Sequence, residues 1–156
     1  MSVVGRLLDR RLKPGQALRV LSASGQLGNG IPEAALQAGL ARAPHVIGCD
    51  MGSIDPGPYY LGAGRMATSP AITRRDLRLA LLGARAIAVP LLIGTTGTAG
   101  AAPHVAATLD LILDIVREAG ITLRIAVIHA DIDRAWLKAM VAADRIQAIG
   151  AIGDLT

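Results

Sequence analysis

One unit recurs along the chain: an apolar, β-branched run, a turn rich in glycine and hydroxyls, then a helical stretch. The runs occupy residues 18–22, 46–49, 88–93 and 122–128, and their hydrophobicity is continuous rather than alternating. Strands of that kind are buried on both faces, which requires a parallel sheet with helices above and below. The helical stretches, over 32–42, 74–85, 103–119 and 133–144, carry their apolar residues at 3.6 spacing. Residues 145–154 read as a further strand reaching its own glycine-and-acid turn. The expected fold is α/β: a parallel, doubly wound three-layer (α/β/α) sheet of at least five strands with right-handed crossovers. Strand order is not readable.

Local punctuation agrees with that unit. Pro32 opens the first helix, where its missing N–H would have no partner anyway. Thr73 followed by Asp76 reads as a short capping box for the next helix. Gly120 stops the longest helix, and Asp133 caps the one after it. Residues 1–16 form a lead-in: Val3, Val4, Leu7, Leu8 and Leu12 fall on one helical stripe with arginines opposite, and Pro14-Gly15 ends it. Residues 17–156 then make the α/β domain. Its last strand stops at the edge where ligand loops gather, so the chain is expected to be the N-terminal part of a longer domain or protein.

In such a sheet ligands bind at the carboxyl ends of the strands. The first strand end offers Ser22, Ser24, Gly25 and Asn29, in a Gly25-x-x-Gly28-x-Gly30 spacing that matches neither a dinucleotide fingerprint nor a P-loop. The second offers Asp50, Ser53, Asp55, Tyr59 and Tyr60; here Asp55-Pro56-Gly57-Pro58 reads as a rigid turn. The third offers Thr95, Thr96, Gly97 and Thr98 ahead of a helix, hydroxyls and amides suited to an oxyanion, with His104 in the first helical turn behind them. The fourth offers His129 and Asp131, two apart, as base and orienter or as two ligands of an incomplete metal site. A carboxylate after a buried strand needs partners, so Asp50 either caps backbone amides or meets a polar ligand. Asp50, His129 and His104 are the catalytic candidates, and no metal set is assigned. His45 enters its strand at the opposite edge and reads as a surface residue.

Composition narrows the partners. The 156 residues include sixteen Lys and Arg, of which only Lys13 and Lys138 are lysines, for a net charge of +4. A nucleic-acid surface would combine a basic stripe with stacking aromatics, but the chain has no Phe, one Trp and two Tyr. Nucleic acid is therefore not expected. No apolar run approaches the ~18 residues of a membrane span, and charges at Arg6, Asp9, Arg10 and Arg11 interrupt any signal-peptide core. The single cysteine, Cys49, excludes an internal disulfide and reads as a small buried hydrophobe. The expected location is the cytoplasm.

The segment Gly48-Cys49-Asp50-Met51-Gly52-Ser53-Ile54-Asp55-Pro56-Gly57-Pro58-Tyr59-Tyr60-Leu61-Gly62 resembles the acyclic terpene utilisation (AtuA-like) family, formerly a domain of unknown function. Ser22-Ala23-Ser24-Gly25 is similar to that family's N-terminal glycine motif, and Gly94-Thr95-Thr96-Gly97-Thr98-Ala99-Gly100 supplies a third matching block. The resemblance implies bacterial catabolism of branched acyclic terpenoids or their acyl-CoA forms. It carries no catalytic residue across. The expected function is a catabolic enzyme module that binds a small anionic metabolite, a carboxylate or acyl-CoA, at the carboxyl edge of the sheet. Its reaction class and cofactor are not readable. Two rivals stay open: a nucleotide module that activates a substrate with ATP, and a non-catalytic fragment that scaffolds a partner. That partner would be a second copy or the remaining C-terminal part of a longer chain.

Overall fold

A computed structural model describes residues 12–13, 15–53 and 57–147. Most of the lead-in over 1–16, the last strand beyond Gln147, and Ile54, Asp55 and Pro56 lie outside the described residues. Within them the chain is α/β. Strands β1 (Val20–Ser22), β2 (Val46–Gly52) and β3 (Leu91–Thr98) form one parallel sheet in the order β1-β2-β3. Between and after them come helices α1 (Glu33–Leu40), α2 (Tyr59–Ala63), α3 (Pro70–Ala86), α4 (Ala102–Ala119) and α5 (Arg134–Ala142).

Proline and glycine set several of the boundaries. Pro32 occupies the N-cap of α1, Pro103 lies in the first turn of α4, and Gly120 ends α4 in the left-handed conformation at φ 60°. Asp133 caps α5 by accepting the Trp136 N–H at 2.7 Å. The capping box expected at Thr73 is corrected. Pro70 starts α3 one turn earlier, with Ser69 at the N-cap, so Thr73 is buried inside the helix and its hydroxyl meets that of Thr68 at 2.8 Å. The tyrosine stretch expected as a loop is the short helix α2, ended by Gly64 at φ 62°.

The core lies on one side of the sheet. Ile47, Cys49 and Met51 of β2 pack with Leu36 and Leu40 of α1, Leu77 and Leu81 of α3, and Ile115 of α4. Leu21 and Ile93 join from the flanking strands. Side chains alternate along a strand, so the other side carries Val20, Ser22, Gly48, Asp50, Leu92 and Gly94. On that side Val20 is 61% and Leu92 52% exposed, while Val46, at its amino end, is 9% exposed. A helical layer on this second face, expected from the sequence, is not present among the described residues.

The strand expected over residues 122–128 is not formed either. Residues 121–133 have no regular structure, although Ile121 and Leu123 pack against the core. The 18-residue α4 is about 27 Å long and returns the chain to the amino edge of the sheet. Residues 121–131 then lead back, because Asp131 Oδ1 accepts the Ala102 N–H at 3.0 Å beside the carboxyl end of β3. Ten extended residues reach about 33 Å, so the segment covers the strand direction while making no ladder with β3. Composition alone does not create a strand; the backbone also needs a partner in register.

His45 is buried, at 7% exposure, rather than on the surface. Its N–H donates to the Arg19 carbonyl at 2.9 Å, and its Nδ1 accepts the Arg19 N–H at 2.9 Å. The side chain thereby prolongs the pairing of β1 with β2 past the last ladder residue.

Candidate functional site

The carboxyl edge is built around an irregularity between β2 and β3. Asp50 pairs with Gly94 and Gly52 pairs with Thr98, so two steps along β2 face four along β3. The surplus is a bulge over Thr95, Thr96 and Gly97. Thr95 sits at φ 46° and Thr98 at φ 89°, a region that β-branched residues avoid at a cost of about 1 to 3 kcal/mol each. Among the described residues three other non-glycine residues have positive φ, Ala43, Ala88 and Asp144, and each follows a helix end, where that conformation is ordinary. The two threonines have no such reason. They are held from around: Thr98 accepts the Ala67 N–H on Oγ1 at 2.9 Å and the Ser53 N–H on its carbonyl at 3.2 Å. The Thr95 side chain lies against the Cα of Gly52, where a Cβ would come within 2.2 Å of it.

Asp50 belongs to β2 rather than following it, because the strand continues to Gly52. Its side chain is exposed on the open face, and Oδ1 accepts the Gly52 N–H at 2.9 Å. Gly48 and Gly94 flank it on that face, and no side chain lies over either. Glycine inside a strand costs stability and marks a place where something approaches the backbone closely. Ser22 donates its hydroxyl to the Ser24 carbonyl at 3.2 Å, while the Ser24 hydroxyl is buried with no partner among the described residues. Tyr59 is exposed and Tyr60 half-buried, and their rings meet edge to face at 5.1 Å between centroids.

His104 is fully buried behind the bulge. Its Nε2 lies 2.9 Å from the Tyr60 carbonyl, so the ring ties α2 to α4, and Nδ1 has no partner among the described residues. Gly97, at φ 69°, permits this contact, since a Cβ there would lie 2.7 Å from the His104 carbonyl oxygen. His129 and Asp131 are both exposed, with Nδ1 and Oδ2 3.8 Å apart. Asp131 also caps the start of α4. The Asn29 side chain bonds the nearby Gln26 side chain at 3.1 Å, and its N–H donates to the Gln26 carbonyl at 3.4 Å. Among the described residues no three His, Cys, Asp or Glu side chains gather as a metal set.

The role of Asp76 differs from the capping box expected of it. Asp76 of α3 is fully buried and accepts the N–H groups of Gly28 at 3.0 Å, Gly30 at 2.8 Å and Ile31 at 2.9 Å. Arg75 Nη1 donates to the same carboxylate at 3.0 Å and to the Ile31 carbonyl at 3.0 Å. The glycine-rich loop after β1 thus makes an anion nest, and a carboxylate of the chain itself fills it. The glycine spacing matches no anion-binding fingerprint, and the occupant of the nest is hidden because Asp76 lies 45 to 48 residues away in sequence. Cys49 is buried in the core, and burial pushes its thiol up from 9.0 to about 11, helped by the Asp76 charge and opposed by a bond from the Ala23 backbone. Such a thiol is unreactive at neutral pH.

The carboxyl edge therefore gathers Asp50, Ser53, Thr95, Thr96 and Thr98 around one bulge, with His104 and Tyr60 behind it. Ser22 and Ser24 follow β1, and His129 and Asp131 stand beside the start of α4. Among the described residues no helix is long and apolar enough to cross a membrane. Searched against protein-family models, curated proteins and solved structures, the chain matches none.

Proposed function

We propose that the carboxyl edge of the sheet binds a small anionic metabolite, a carboxylate or an acyl-CoA, as part of a catabolic enzyme of the acyclic terpene utilisation type. The observation that carries this reading is the bulge. Backbone strain held by surrounding bonds, away from any helix end, collects where a ligand must be gripped. Thr95, Thr96 and Ser24, with the amides beside them, hold the anion. Asp50 moves protons with His129, both being open to solvent. His104 acts from behind, fixing the Tyr60 end of α2, and Tyr59 and Tyr60 border the ligand. The protein acts in the cytoplasm. The same proposal keeps a sheet of at least five strands covered on both faces, formed only when the open face and residues 122–128 meet a partner chain.

The nucleotide alternative is weaker at the glycine-rich loop, because Asp76 already occupies the amides that would cradle a phosphate. A thermal-shift comparison separates the readings. A ligand at 100 times its Kd adds about 2.7 kcal/mol. Stabilisation by a branched acyl-CoA, absent with Mg-ATP and reduced by Thr96→Val, is the expected result. The reverse pattern would assign a nucleotide module, and no response to either would remove the ligand site altogether.

A further inference from the structure

We propose that Asn29-Gly30, in the loop after β1, is a self-modification site. The backbone closes on the Asn29 side chain and releases ammonia, and the nest around Asp76 gates that step. Asn29 is the only asparagine of the chain, and both residues are exposed. Asparagine before glycine is the pair most open to this reaction, because no Cβ on the following residue hinders the attack. The nest nevertheless requires glycine at position 30. Its φ is 96°, which L side chains rarely adopt, although a Cβ there would meet nothing within 4 Å. The backbone conformation, not crowding, therefore keeps a labile pair in the first strand-end loop.

The chemistry balances with water alone. The Gly30 nitrogen gives its proton to solvent base and attacks Asn29 Cγ. The new C–N bond forms as ammonia leaves, which produces a cyclic imide. Water then opens the imide at either carbonyl, leaving aspartate or isoaspartate at position 29. The fold resists the first step at both reacting atoms. The Gly30 N–H donates to Asp76 Oδ2 at 2.8 Å, and a carboxylate that close opposes negative charge developing on the nitrogen. The imide nitrogen carries no hydrogen, so cyclisation also deletes that bond. It leaves Oδ2 of a fully buried side chain with the Gly28 N–H. On the other side of the reaction, Asn29 Nδ2 donates to Gln26 Oε1 at 3.1 Å and is held there. Cyclisation thus waits for the nest to open. An isoaspartate, with an extra carbon in the backbone, then keeps the nest from re-forming as before.

Intact-mass spectrometry of the full chain follows the conversion, since amide and acid differ in mass, and peptide mapping separates aspartate from isoaspartate at position 29. At mildly alkaline pH the folded chain is expected to convert at least about tenfold more slowly than in guanidinium chloride, the factor set by one charge-assisted bond. Asp76→Asn, checked for folding by circular dichroism, should convert several-fold faster than the parent chain. Asn29→Gln should abolish the fast mass gain. Equal rates for the folded and the denatured parent would overturn the gate, as would an unchanged rate in folded Asp76→Asn. A fast mass gain that survives in Asn29→Gln would place the reaction elsewhere and overturn the site. If Asp76→Asn does not fold, the parent decides: its conversion should rise in step with the unfolded fraction across the denaturant transition, and a rate indifferent to unfolding would overturn the proposal.

Discussion

Three backbone amides converge on Asp76, which makes this buried carboxylate the most consequential single group in the described chain. Asp76→Ala strands those donors and should cost about 3 to 5 kcal/mol. Asp76→Asn keeps one acceptor oxygen and should cost less. Urea unfolding of the two variants checks the order. Cys49 gives a separate, pH-dependent signature. Its thiol ionises near 9.0 in the unfolded chain and near 11 in the fold, so the unfolded chain loses its proton first. The stabilisation is whole below pH 9 and is lost as pH rises toward 11. Cys49→Ala should flatten that part of the stability profile, and pH-resolved unfolding measures it. Cys49 was readable from its apolar neighbours. Asp76 was not, because helix-cap patterns are local and its partners are distant. His45 was misjudged for a similar reason: its position at a strand start is visible in sequence, but the bond it accepts from Arg19 is not.

Among the elements, helices were easier to read than strands. The 3.6 period and the stop at Gly120 located α4 almost to the residue, because a helix closes its hydrogen bonds within its own segment. A strand borrows its partner from elsewhere. The apolar run at 122–128 therefore looked like a strand and has no ladder, whereas β3 runs through Gly94 to Thr98, where the sequence suggested only a loop. Hydrogen exchange should show this contrast. Amides over 124–130 are expected to exchange at near-random-coil rates, and those of Ile47 and Cys49 only on global opening. Equal protection of both would mean that the segment is paired after all. The bulge yields a further test. Thr95→Gly removes a positive-φ penalty and should raise stability by about 1 kcal/mol, by calorimetry, while weakening any ligand held by the Thr95 hydroxyl. Stabilisation without loss of ligand would detach the strain from function.

For the molecule as a whole, the continuous hydrophobic runs announced a parallel sheet, and a parallel sheet is present. They announced helices on both faces too, but α1, α3 and α4 pack into one core on one face. The exposed Val20 and Leu92 are the residues the sequence marked for burial. Leu92→Lys is a direct probe of that face. On an open surface it should alter the urea midpoint free energy by less than about 0.5 kcal/mol and reduce binding of a hydrophobic dye. A loss beyond about 1 kcal/mol would show that something covers Leu92 in solution.

The nest filled by Asp76 has a mechanical consequence. Thr98 in the bulge holds Ala67, Thr68 holds Thr73 in the first turn of α3, and Asp76 one turn on holds the loop after β1. Two loops on different strands are thus hitched to the same short length of helix. A push on the bulge has a route to the glycines of the first loop through these bonds. Disturbances at Thr98 and Asp76 should therefore not add. A double-mutant cycle with Thr98→Val and Asp76→Asn should return a coupling energy above the ~0.5 kcal/mol of independent sites.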